Sequence, residues 1–255
     1  MAIIPSRYLK AGLLLFLFFL QFPVLVSNSK NAGNAVLKSR VTKSTAYSNK
    51  EAICLLIARA DSLFTLMNLN AAGLTKNVFE LAIRGYKKLE NLNKVAREGI
   101  LSIVDFSKPS DKPRFFIVDL NNGQLLLSSL VAHGRNSGMV YANSFSNNPQ
   151  SNKSSLGFYI TLNTYYGENG YALRLKGEEP GVNDKAFKRN IVIHGSDYAD
   201  EKFIRTTGHL GRSLGCPAVP MKEHEKIIDY IKNGTCLFIY HPSKNYLKKS
   251  RLVNS

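Results

Sequence analysis

From Ile103 to Tyr240 the apolar residues fall in short β-branched and aromatic runs broken by turn residues. Arg114–Leu120, Gln124–Ala132, Leu156–Leu162, Tyr171–Lys176, Asn190–His194 and Thr235–Tyr240 are each strand-length and too short for a typical helix. Asn121-Asn122-Gly123 joins the first two as a hairpin, because Asn-Gly accepts the positive φ a tight turn needs. Tyr166–Gly170 is a second turn cluster. Helical patterning is confined to the flanks. Residues 51–66 are Ala/Leu-rich, and Val78, Leu81, Ala82, Tyr86, Leu89 and Leu92 recur near helical spacing between Thr75 and Asn93. Lys222–Lys232 is amphipathic and closed by Gly234. The expected fold is α+β: a twisted mixed or antiparallel β-sandwich with a helical N-terminal cap.

The N-terminus is of another kind. Arg7 and Lys10 precede an uncharged apolar run, Ala11 to Val26, which reads as a secretory signal or signal anchor over residues 1–27. At 16 residues that run is short for a membrane span. Residues 28–50 are rich in Ser, Asn, Lys and Thr and read as a flexible linker. The expected layout continues with a helical cap over 51–105, a catalytic domain over 106–245 and a basic tail over 246–255. The expected location is outside the cytoplasm, in the periplasm or cell envelope, with membrane contact only through an uncleaved N-terminal segment. The formal charge of +16 would suit nucleic acid, but export argues against it. Anionic cell-wall polymers are the partner the charge suggests, beside the alternative of a basic surface with no specific partner. The Ser/Asn-rich stretch from Gly138 to Ser155 is long for a plain connection and is either a substrate-contact loop or an unstructured one.

The chemistry concentrates in two places. Ile191-Val192-Ile193-His194-Gly195 puts a histidine at the end of an apolar strand. Arg212-Ser213-Leu214-Gly215-Cys216-Pro217 puts a cysteine on a Gly-flanked turn 22 positions later. A thiol needs a base or cation beside it to become a nucleophile. The alternative is a cysteine that packs as a small hydrophobe. Cys236, in an apolar strand, and Cys54, in an apolar helical stretch, fit that packing role. No short Cys/His zinc spacing occurs, and no cofactor motif.

Together these residues resemble the L,D-transpeptidases of the YkuD type, and more narrowly their divergent murein catalytic-domain-like branch. The likeness runs from Ala132-His133-Gly134-Arg135-Asn136-Ser137-Gly138 through Ser154-Ser155-Leu156-Gly157 to Gly211–Val219, covering roughly residues 70–242. The common pattern has a histidine directly before the Gly-Cys pair; here that position is Leu214. The resemblance implies a ping-pong acyl transfer on peptidoglycan stem peptides, with Cys216 as nucleophile, His194 as general base and no cofactor. It also implies acylation by β-lactams of the carbapenem type. The amides of Leu214, Gly215 and Cys216 are the candidate oxyanion donors, with Ser213 orienting the turn or His194. On the substrate side stand Arg212, His133, His209, Ser155 and Gly195, with Arg205 a second guanidinium for carboxylates. His209 is also a rival base, and His133 is equally suited to structural hydrogen bonding. His224 and His241 read as surface residues. Three other functions remain open: an L,D-carboxypeptidase or endopeptidase using the same thiol, a zinc hydrolase on His133, His194 and Cys216, and an inactive wall-binding module.

Overall fold

The computed structural model describes residues 51, 54–168 and 170–254. The expected signal and linker lie outside them. Among the described residues no helix is long and apolar enough to cross a membrane.

Eight strands form one mixed sheet in the order β3-β2-β1-β8-β4-β5-β6-β7. They are β1 (Ile100–Asp105), β2 (Phe115–Asp119), β3 (Gln124–Ser129), β4 (Gly157–Gly167), β5 (Gly170–Gly177), β6 (Val192–Ser196), β7 (Ala218–Pro220) and β8 (Cys236–Tyr240). β1 pairs parallel with β8, and β6 parallel with β7; the other neighbours are antiparallel. The helices are α1 (54–66), α2 (Lys76–Asn91), α3 (Glu201–Thr207), α4 (His224–Ile231) and α5 (Lys244–Lys249), with a 3₁₀ turn at Asp197–Ala199.

After β3 the chain leaves its hairpin partner and crosses to the opposite edge of the sheet. There the Ala132 N–H donates to the Ala218 carbonyl at 2.7 Å, and the Ser213 N–H to the His133 carbonyl at 3.0 Å. These bridges join the first edge to the last, so the sheet is nearly barrel-shaped. Closure satisfies edge groups that would otherwise invite foreign strands.

The core lies against the helices. α2 turns Val78, Phe79, Ala82, Ile83, Tyr86 and Leu89 inward, and α4 turns Ile227, Ile228 and Ile231 inward. Gly85 lets α2 approach the sheet. A β-carbon there would sit 2.0 Å from Cζ of Phe158, whose ring stacks on Phe238 at 4.2 Å between centroids.

Several expectations change. The cap does not extend to residue 105, because β1 lies inside the sheet between β2 and β8. The sandwich alternative gives way to a single sheet. α3 and β7 had no sequence signal: α3 is seven residues long and fully buries none of them, and β7 is three residues long and ends in proline. The basic tail is not free either. Ser243 caps α5, and Tyr246 and Val253 are buried.

Candidate active site

Parallel pairing of β6 with β7 sets the site. His194 pairs with Ala218, which brings Cys216, two residues earlier, level with Val192. The Val192 N–H points at Cys216 Sγ at 3.5 Å, and the thiol faces the Asn190 carbonyl at 3.6 Å. The base candidate therefore sits on β6 and the nucleophile candidate on the turn entering β7, two register positions apart.

The cysteine turn is tied from several sides. Ser213 Oγ donates to the Cys216 carbonyl at 2.6 Å and accepts from the Gly215 N–H at 3.0 Å. Ser154 Oγ accepts from the Gly134 N–H at 3.0 Å and donates to the Gly215 carbonyl at 3.2 Å, linking three loops. Gly215 adopts φ +127, and a β-carbon there would lie 2.9 Å from the Lys153 carbonyl oxygen, so glycine is required on two counts. Ser213 thus orients the turn and not His194. The Gly215 amide is already engaged, which leaves the Leu214 and Cys216 amides as oxyanion-donor candidates; among the described residues neither finds an acceptor.

His194 is buried, and its Nδ1 lies 2.9 Å from the Gly195 carbonyl. A carbonyl only accepts, so Nδ1 carries the proton and Nε2 keeps its lone pair. Burial holds the imidazole below its ordinary pKa, and the nearby His224 adds to the effect. The ring is therefore neutral near neutral pH, the form a base needs. Burial pushes the Cys216 thiol up, while the Val192 N–H and the Arg189 charge pull it down. Cys236 is fully buried and pushed strongly up by burial, in keeping with a packing role. Cys54 lies on α1, in the helical stretch expected for it, and is exposed.

Four of the substrate-side assignments change or narrow. His133 is fully buried and lines no cleft. Its Nδ1 accepts from Arg114 Nη2 at 2.9 Å and its Nε2 faces the Gly138 carbonyl at 3.3 Å, so both nitrogens are committed inside the barrel. Burial, with the Arg114 charge second, lowers its pKa to about 4. This also removes His133 from a zinc triad with His194 and Cys216. Ser155 is buried; its hydroxyl donates to the Ser146 carbonyl and accepts from Arg189. Arg212 donates to the Arg135 and Gly138 carbonyls, and His209, with Nδ1 on the Leu210 carbonyl, sits on the His133 side of the turn. Arg205 is on the exposed face of α3, opposite Glu201. Gly195 keeps its place beside the base, covered by His224 and Met221.

Sequence reasoning missed His224, which is half-buried on Gly195, and Arg189, which spans the Ser/Asn loop. Neither stands in a recognisable motif; only the folded chain brings them to β6. An open groove of about 780 Å³ begins at Gly195 and Ser196 and is flanked by Tyr171, Tyr198, Asp197 and Glu225. Tyr198, which lines the groove, is half-buried, and burial holds its hydroxyl above the ordinary tyrosine pKa.

The fold is a barrel-like mixed sheet in which the strand-end His194 and the Cys216 turn lie on neighbouring elements. The family model for the L,D-transpeptidase catalytic domain matches residues 70–240, and the chain belongs to that family. Among curated proteins no sequence matches it. Similar solved structures include an L,D-transpeptidase from Mycobacterium smegmatis, at 13% identity and TM-score 0.35, covering 56% of this chain and 59% of that one. LdtMt1 in complex with imipenem gives 12%, 0.36, 56% and 59%, and the L,D-transpeptidase from Xylanimonas cellulosilytica gives 14%, 0.34, 60% and 68%. The chain spans about 59% of the length of the first two.

Proposed function

We propose that this chain is an exported peptidoglycan L,D-transpeptidase that works through a thioester on Cys216. The observation that carries the reading is the pairing of β6 with β7, which sets Cys216 Sγ against the Val192 N–H beside a neutral, Nδ1-protonated His194. Nε2 of His194 takes the thiol proton. The thiolate attacks the carbonyl of the L-centre third residue of a stem tetrapeptide, and charge on the carbonyl oxygen develops toward the Leu214 and Cys216 amides. As the bond to D-alanine breaks, His194 returns the proton to the departing amine. An amine of a second stem then attacks the thioester and loses its proton to Nε2 of His194, the C–S bond breaks as the amide forms, and His194 returns the proton to the displaced thiolate.

The groove supports an amine acceptor over water. Its lining residues include Glu168, Asp197 and Glu225 and no lysine or arginine, in a chain of net charge +16. A carboxylate-lined surface favours a cationic partner. The carbapenem class is the expected inhibitor, since the strained ring offers the same thiol an acyl group. The test is incubation of the full-length protein with tetrapeptide muropeptides, read by mass spectrometry. Crosslinked dimers that disappear in Cys216→Ser support the reading. Release of D-alanine with water as sole acceptor points to a carboxypeptidase, and turnover that survives Cys216→Ser refutes the nucleophile.

A further inference from the structure

Arg189 occupies the last turn before β6. Its guanidinium is half-buried and both terminal nitrogens are engaged: Nη1 with the Ser146 carbonyl at 2.8 Å and with Ser155 Oγ, Nη2 with the Lys153 carbonyl at 2.8 Å and Ser151 Oγ at 3.2 Å. Every one of these partners is neutral. Among the described residues no carboxylate pairs with it, although ion pairs are found for Arg205 and several lysines. A sequestered cation held by neutral groups is costly unless a negative charge forms beside it.

Two ionisable groups act on the guanidinium, the Tyr159 hydroxyl, which burial keeps protonated, and the Cys216 thiol. Nη2 lies 3.4 Å from where a Gly215 side chain would begin, and the next residue, Asn190, presents the carbonyl that faces Cys216 Sγ. His194 supplies no positive charge at rest, because its ring is neutral near neutral pH. The position before Gly215, where the common family pattern has a histidine, holds Leu214, exposed and apolar.

We infer that Arg189 is the counter-ion of the Cys216 thiolate, a positioning residue that stabilises the ionised nucleophile while clamping the 138–155 loop onto its turn. The inference rests on Cys216 being the nucleophile. The charges of Arg189 and Cys216 act on each other, each favouring the ionised partner. The other titratable groups on the elements beside the thiol are His194 on β6 and the Tyr198 hydroxyl, which burial first, and the Cys216 charge after it, holds protonated. The Lys153 ammonium is drawn aside to Ser144 Oγ at 2.7 Å. The long Ser/Asn loop thereby gains a function: its hydroxyls and carbonyls hold the guanidinium in place without neutralising it.

The experiment is the pH dependence of Cys216 alkylation by iodoacetamide in the full-length chain, followed by peptide mapping so that the exposed Cys54 is counted separately. An opposite charge at this range shifts a pKa by about 1–3 units. Arg189→Met should raise the alkylation midpoint by at least about one pH unit, and slow labelling about tenfold below it. Arg189→Lys keeps a charge and should stay within a few tenths of a unit of wild type. Ser151→Ala with Ser155→Ala removes loop bonds but leaves the charge, and should also keep the wild-type midpoint. An unchanged midpoint in Arg189→Met, on a Cys216 that still labels, overturns the inference and spares the nucleophile. So does a serine double variant that shifts as far as Arg189→Met. If Arg189→Met does not fold, a full-unit shift in Arg189→Lys overturns it alone. A wild-type Cys216 that resists alkylation at every pH refutes the nucleophile, and the counter-ion with it.

Discussion

The buried pair of Arg114 and His133 makes acid stability a quantitative test. His133 joins the closing segment of the barrel to Arg114 on one side and to the Gly138 carbonyl on the other. Its pKa is about 4 in the folded protein, against 6.5 in an unfolded chain. Between those values the unfolded state binds a proton that the native state refuses, so stability is present above about pH 6.5 and lost as pH falls toward about 4. At about 1.4 kcal/mol per unit the loss approaches about 3 kcal/mol. The same segment carries the Ala132–Ala218 bridge, two residues from Cys216, so the loosening reaches the cysteine turn. His133→Gln keeps an amide acceptor for Arg114 and a donor for Gly138 without titrating. The chain has no tryptophan, so urea melts should be followed by far-ultraviolet circular dichroism. Wild type should lose about 2–3 kcal/mol more than His133→Gln between neutral pH and about pH 4. Identical pH dependence in the two proteins would show that His133 is not the buried neutral imidazole described above.

Three further outcomes follow from the same geometry. His194→Ala should lower acyl transfer about 10²–10⁴-fold, the usual contribution of a general base, and His209→Ala much less; steady-state rates in the reverse order would exchange their roles. A carbapenem should add one equivalent, mapped by peptide mass to Cys216. Cys236 is sealed in β8 and Cys54, though exposed, lies on α1 away from the site's residues, so an adduct on either contradicts the site. Gly85→Ala should cost about 1–3 kcal/mol in a thermal or urea melt, since the new methyl lands on the Phe158 ring; a neutral result would mean α2 shifts freely over the sheet.

Strand content, the Asn-Gly hairpin and the α2 stripe were legible because each depends on neighbours within a few residues. His194 and Cys216 were legible as candidates for the same reason: one ends an apolar strand, the other sits where Gly and Pro forbid regular structure. Elements that bury little or pair briefly were not. α3 is two turns long and fully buries no residue, and β7 is defined only by the strand beside it.

The sequence by itself determined the class of fold and the chemical types at the turn, since periodicity and backbone preference are local properties. The tertiary structure decided which polar residues meet. His133 and Arg212 read alike as cleft residues, yet closure of the sheet seals His133 against Arg114 and leaves Arg212 on the loop carbonyls. Arg189 and Cys216 are 27 positions apart and share no motif; the register of β6 and the path of the 138–155 loop bring guanidinium and cysteine turn together. Burial, and so the protonation state of each histidine, is a property of everything packed around the ring, which no segment of the chain encodes alone.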